Sequence, residues 1–248
     1  MKRNSASASY GFCRLLPQIN FHGLKVRLTG DHVSRGVWNM VFSGDYEMPE
    51  VDSILALPRP EDRLLELGGG MGHVSALAAK RFPKLTVETY EANPAMLGVI
   101  REVHALNDIR NVNVNGSFLV NGDTVRNRDF YVHRSFSQSS IMRNKDNNQV
   151  SIKVPAKDIR QVLSKLRPHV MLCDIEGGKA ELFDGLDLAV LRALVIELHP
   201  HRIDRFAEVK VYYAAIKAGL YPRIELCSGI VVAFEYIGIE KGHFPLTK

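Results

Sequence analysis

From residue 63 onward, apolar and polar positions fall into short, regular blocks. Residues 63–67, 85–90, 112–114, 169–173 and 193–198 are brief apolar runs of strand length. Helical spacing fills the gaps between them. Val74, Leu77, Ala78 and Phe82 share one face, and Pro83 closes that segment. Residues 94–106 form a second helix with Pro94 in its first turn. Ile159, Val162, Leu163 and Leu166 mark a third, with Asp158 at its start. A short helix is predicted over 180–183. Another follows from Phe206, Val209, Tyr213 and Ile216, which are read as its core face, and Gly219 ends it. Strands alternating with helices predict an α/β fold, a parallel sheet covered on both faces. Residues 220–227 and 230–236, around Ser228-Gly229, predict a closing antiparallel hairpin.

The flanks are less regular. Residues 1–20 read as an arm outside the core, 24–28 as a short strand, and 51–57 as a helix ended by Pro58-Arg59-Pro60. Residues 117–148 turn polar and rich in Asn, Ser and Arg. They predict loops with a hairpin around 130–132, followed by a strand at 152–154. The division expected is an N-terminal arm and extension over 1–50, then one domain over 51–248 carrying the polar insertion 117–148.

Composition limits the function classes. A chain of 248 residues with 46% hydrophobic and 24% charged residues is ordinary globular material, not a disordered chain, collagen or coiled coil. The net charge is 32 − 27 = +5. Its Lys and Arg are scattered, which argues against a nucleic-acid partner. Cys13, Cys173 and Cys227 form no C-x-x-C clip, so neither a disulfide framework nor a zinc ribbon is expected, and a cytoplasmic location fits. No apolar run reaches the roughly 18 residues of a membrane span. The N-terminus shows no apolar signal region. A homo-oligomer is compatible with all of this.

The sharpest motif is Glu66-Leu67-Gly68-Gly69-Gly70-Met71-Gly72, which follows a strand and opens a helix. Glycines there permit a tight turn and close approach of a ligand to the backbone. The helix start behind them offers free N–H groups. The loop fits G-x-G-x-G, but His73 breaks G-x-G-x-x-G, which counts against nicotinamide and flavin dinucleotides. Glu91 ends the second strand, where a carboxylate can accept both hydroxyls of an adenosine ribose. The plainer alternative is a glycine turn and a surface glutamate.

Glu91-Ala92-Asn93-Pro94, Asp174-Ile175-Glu176-Gly177 and the pair Tyr46-Glu47 together resemble the FkbM family of S-adenosylmethionine-dependent methyltransferases. The chain departs from the family pattern at Glu66, at Gly69-Gly70, at Ala92, and at Lys179 and Ala180, where an acidic residue is common. The resemblance implies a doubly wound, Rossmann-like class I methyltransferase sheet, mostly parallel with an antiparallel C-terminal hairpin. It also implies S-adenosyl-L-methionine as cofactor. Gly68, Gly70 and Gly72 would line its methionine part, Glu66 would lie near its ammonium and Glu91 would hold the ribose. The turn Asn115-Gly116-Ser117 would lie near the adenine, or be an ordinary turn. Tyr46 and Glu47 would stand at the substrate entrance.

A sulfonium is already a good methyl donor, so the protein must chiefly align the reactants and exclude water. A hydroxyl acceptor gains from a positioned base. The candidates are Glu176, His199 and Asp174, at strand ends where open α/β sheets bind ligands. Asp174 is counted with the cofactor as well, or else caps the following turn. His133 is a candidate lid residue on the substrate side. Asp174, Glu176, Glu197 and His199 have residue types that suit Mg²⁺ or Mn²⁺. Carboxylates two apart on a strand end point away from each other unless the chain turns, so no metal is expected. Arg126, Arg128, Arg134, Arg143 and Lys145 in the insertion suit an acidic or sugar-nucleotide substrate, or a solvated loop. The function expected is O-methylation of a small-molecule hydroxyl. The alternatives are a silent module that binds S-adenosylmethionine or S-adenosylhomocysteine, and a methyltransferase acting on nucleic acid or protein. An oxidoreductase comes last, because of His73.

Overall fold

The computed structural model describes residues 18–27, 33–122, 127–133, 139–140, 149–200 and 205–238. Its centre is a seven-stranded sheet. Five strands run parallel: β3 (Arg63–Leu67), β4 (Thr86–Tyr90), β5 (Val112–Asn115), β9 (Val170–Cys173) and β10 (Ala193–Glu197). Two more, β11 (Leu220–Pro222) and β12 (Val231–Tyr236), complete the order β11-β12-β10-β9-β3-β4-β5. β12 runs antiparallel to both of its neighbours. This is the class I methyltransferase arrangement that the sequence predicts. Every residue of β9 is buried, as a strand covered on both faces requires. The chain reverses its order of winding between β3 and β9, and the crevice beyond their C-terminal ends is where such sheets take ligands.

The closing hairpin is shorter than the apolar pattern predicts. β11 stops at Pro222, and a 3-10 turn over Ile224–Leu226 occupies the rest of the expected strand. Proline has no N–H to continue a ladder.

The expected arm ends earlier than residue 20. β1 (Ile19–Phe21) already pairs with β2 (Leu24–Val26), and residues 1–17 lie outside the described residues. Helix α1 (Arg35–Ser43) was not anticipated. Ser34 caps it by accepting from the Val37 N–H, and Gly44 closes it in a left-handed conformation. Phe21, Leu24, Trp38 and Val41 pack against Met71, Ala76 and Met96. Met71 and Ala76 flank the start of α3 (His73–Arg81), and Met96 lies in α4 (Pro94–Leu106). Helix α2 (Met48–Ala56) packs beside α3 on the same face of the sheet, against Leu64, Val170 and Val195.

The polar insertion holds more regular structure than loops and one hairpin. Strands β6 (Phe118–Val120), β7 (Asn127–His133) and β8 (Gln149–Asp158) form a separate sheet in the order β6-β8-β7. Phe118, Val120, Phe130 and Val154 give it a small core of its own. Arg126, Arg134, Arg143 and Lys145 lie outside the described residues. Helix α5 (Ile159–Leu166) is capped by the Asp158 side chain. Helix α6 (Lys179–Phe183) is short, and α7 (Arg205–Lys217) ends the helical layer.

The face of α7 is a correction. Phe206 is 79% exposed, and Val209, Tyr213 and Ile216 are exposed with it, whereas Ala207, Val211, Ala214 and Ala215 meet the core. Small side chains let this helix lie close, so the bulky stripe that resembled a core face points outward.

Candidate active site

The glycine loop and the end of β9 form one wall of the crevice. Gly68 N–H donates to the Tyr90 carbonyl at 2.9 Å, and Asp174 N–H donates to the Leu67 carbonyl at 2.8 Å. Gly68 has φ +91°, and a Cβ built on it would lie 1.7 Å from the Asp174 carbonyl oxygen. Only glycine fits there. Glu91 turns back to the loop: its carboxylate accepts from Gly70 N–H at 2.9 Å and from Asn93 N–H at 2.7 Å. Burial raises its pKa to about 7, against these stabilising bonds.

A cavity of about 440 Å³ opens from this wall. Of the fourteen cofactor, catalytic and substrate candidates read from the sequence, Tyr46, Glu47, Gly68, Gly70, Glu91, Asp174, Glu176 and His199 line it, and Glu197 joins them. Six do not. Glu66 is 1% exposed behind the loop, and burial raises it to about 8. Gly72 begins α3 with Ile100 and His104 where a side chain would go. Asn115 is turned away by a 2.8 Å bond to Glu88. Gly116 faces Leu97, and Ser117 is buried. In place of that turn, Phe118, Leu119 and Val120 line the cavity. Further along the insertion Phe130 and Ser139 also reach the cavity, and His133 does not.

The insertion is fastened beside this site. Arg128 makes a two-pronged bond to Glu181 of α6, at 2.8 and 3.1 Å. Ser140 Oγ donates to the Glu176 carbonyl at 2.6 Å.

The opposite wall is acidic. Tyr46 is buried beside Glu47, and its hydroxyl is hydrogen-bonded to the Glu47 carboxylate. Burial raises Glu47 to about 7 and Glu50, which the sequence reading passed over, to about 8. Glu47 also stands 3.7 Å from Nδ1 of His73, a buried ring that desolvation lowers to about 4.

Past β9 the chain does turn, because Gly177 and Gly178 both have positive φ. Asp174 and Glu176 both face His199. Nε2 of His199 lies 3.1 Å from Glu197 Oε2, 3.2 Å from Glu176 Oε1 and 3.7 Å from Asp174 Oδ1. On the ring's other side, Lys179 Nζ is 2.7 Å from Nδ1. Burial and the neighbouring Glu197 raise Asp174 well above the carboxylate range. Burial opposes ionisation of Glu197 too, but hydrogen bonds from His199 and Asp174 bring it down to about 2.

Asp174, Glu197 and His199 place one ligand atom each within 4.8 Å of one another, close enough to share a divalent cation. The Lys179 ammonium against the same imidazole already supplies a positive charge, so this donor set suits a metal poorly.

No family model matches the chain, and none of the curated proteins matches it. Solved structures do. Precorrin-6y C5,15-methyltransferase from Geobacter metallireducens GS-15 is 16% identical over 76% of this chain and 86% of that one, with a TM-score of 0.46. TYW2 of M. jannaschii, in complex with AdoMet, is 13% identical over 89% and 86%, at 0.43. A TehB-like SAM-dependent methyltransferase from Corynebacterium glutamicum ATCC 13032 Kitasato is 14% identical over 80% and 93%, at 0.42. Similarity of this size does not discriminate among methyl acceptors. Among the described residues, no helix is long and apolar enough to cross a membrane.

Proposed function

We propose that the protein is an S-adenosylmethionine-dependent methyltransferase of the FkbM type that methylates a hydroxyl of a small molecule. One observation carries this reading: the cavity at the β3/β9 crevice joins a glycine loop to a wall of carboxylates. Glu47, Glu50, Glu91, Asp174, Glu176 and Glu197 all line it. Such a wall favours a cationic ligand, and a sulfonium with an ammonium is one.

Gly68 and Gly70 let the backbone approach the methionine part. Glu91 accepts from the ribose hydroxyls with the lone pairs that its two backbone bonds leave over. Glu66 and Gly72 serve from behind the loop, by holding its shape. Phe118, Leu119 and Phe130 keep water from the adenosine and the reacting atoms.

When bound, S-adenosylmethionine would supply a methyl group to the acceptor oxygen, its methyl–sulfur bond breaking as the new carbon–oxygen bond forms. The hydroxyl proton passes to Glu176. The products are a methyl ether, S-adenosylhomocysteine and one proton. Glu176 is given this role because it lines the cavity just past β9 and its Oε1 lies 3.2 Å from Nε2 of His199. Tyr46 and Glu47 border the acceptor side, and a cavity of about 440 Å³ has the size of a small-molecule site.

Thermal unfolding tests the cofactor. S-adenosylhomocysteine should raise Tm by mass action and NAD should not. A rise with NAD alone would sink the reading.

A further inference from the structure

Lys179 is fully buried, 0% exposed, although an ammonium is costly to bury without partners. Its Nζ has two: the Ile175 carbonyl and Nδ1 of His199. The carbonyl can only accept. At 2.7 Å from Nδ1, one proton lies between the two nitrogens. Glu197 favours the ammonium through its own charge, and burial and that ammonium oppose a second proton on the ring, against the hydrogen bonding to Glu176 and Glu197 that raises the ring's pKa. The proton therefore stays on Nζ, and Nδ1 presents its lone pair. The neutral ring must then carry its hydrogen on Nε2. Nε2 faces oxygens of Glu197, Glu176 and Asp174, and the first two lie at hydrogen-bond distance.

We infer that Lys179 is a positioning residue that fixes His199 as an Nε2–H donor, so that His199 holds Glu176 in place and does not itself take the acceptor's proton. Both ring nitrogens are engaged, one as acceptor and one as donor. The charged and titratable groups facing the ring are Asp174 at the end of β9, Glu176 in the following turn, Lys179 on α6 and Glu197 at the end of β10, with Glu50 of α2 acting through its charge. The inference rests on the proposed methyl transfer only for the proton that is moved. The state of the ring is a separate fact.

The test is long-range ¹H–¹⁵N correlation on protein labelled at histidine. At neutral pH the His199 ring should show a proton on Nε2 and none on Nδ1. A proton on Nδ1, alone or in a doubly protonated ring, overturns the inference. Lys179→Met removes the ammonium and frees Nδ1 among carboxylates. The ring's proton affinity should then rise roughly ten-fold or more, moving its titration midpoint up by at least about one pH unit. An unchanged midpoint also overturns it. If that variant does not fold, Lys179→Arg keeps a donor and should keep the wild-type ring state, and a switch to Nδ1–H there counts against the inference. Failure to bind S-adenosylhomocysteine with the ring state as described would remove the cofactor reading and leave this one standing.

Discussion

At Gly68 the loop and the strand beside it touch backbone to backbone. A methyl group would be driven into the Asp174 carbonyl, and the residue would keep its φ of +91°. Neither the carbonyl nor the loop can yield without shifting the end of β9, which carries the acid cluster. Gly68→Ala should therefore cost about 2–5 kcal/mol of stability, from strain and overpacking together. It should also weaken binding of S-adenosylhomocysteine. Denaturant unfolding and a binding titration check both, and a loss under about 1 kcal/mol would show that the contact relaxes cheaply. Gly68 and Glu91 were legible in the sequence because both sit at strand ends with fixed spacing from each other. Glu50 and Lys179 were not. Each enters the site from a helix whose orientation is set by packing, and a lone charged residue in a helix carries no mark of burial. Lys179 in fact stood out only as a departure from an expected acid.

Elements were legible where the apolar pattern was continuous, and faces less so. The strands β3, β4, β9 and β10 and the helices α4 and α5 fall close to where periodicity puts them. Helix α7 shows how periodicity fails. Two stripes coexist on it at helical spacing, a bulky one and a small one, and hydrophobicity alone selects the bulky one. The sheet selects the small one because close approach needs alanine. Phe206→Ser and Tyr213→Ser should thus leave stability within about 0.5 kcal/mol. Ala215→Leu, at a site 0% exposed, should cost about 1–3 kcal/mol by overpacking. Comparison of urea midpoints decides this, and the reverse ranking would restore the original face. Helix α1 was missed for a different reason. Ser34 as N-cap and Gly44 as terminator bracket it, and Val37, Trp38 and Val41 share its buried face, but it lies outside the repeating strand–helix pattern that guided the reading. The insertion was underestimated because its core is only four residues, spread over three strands.

Across the whole molecule the charge is +5, yet the cavity is walled by acids. Burial resolves the contrast by keeping several of them protonated. In the folded protein Glu47 and Glu91 titrate near 7 and Glu50 and Glu66 near 8, against 4.5 for a free glutamate. Since these values are raised, the native state holds more protons than the unfolded chain between about pH 4.5 and 8. Stability contributed in this way is complete below that window and is lost as pH rises through it. The free protein should therefore be easier to unfold at pH 8 than at pH 5, as read from urea midpoints. A cationic ligand reverses the preference within the cavity. The sulfonium of S-adenosylmethionine stabilises ionised Glu47, Glu50 and Glu91, so binding should expel protons at pH 7 and tighten from pH 6 to 8. S-adenosylhomocysteine has lost that charge and should expel fewer. Titration calorimetry in buffers of different ionisation heat counts the protons directly. Proton uptake, or equal release with both ligands, would mean that the acid wall does not sense the sulfonium, and the electrostatic basis for placing the cofactor there would fall.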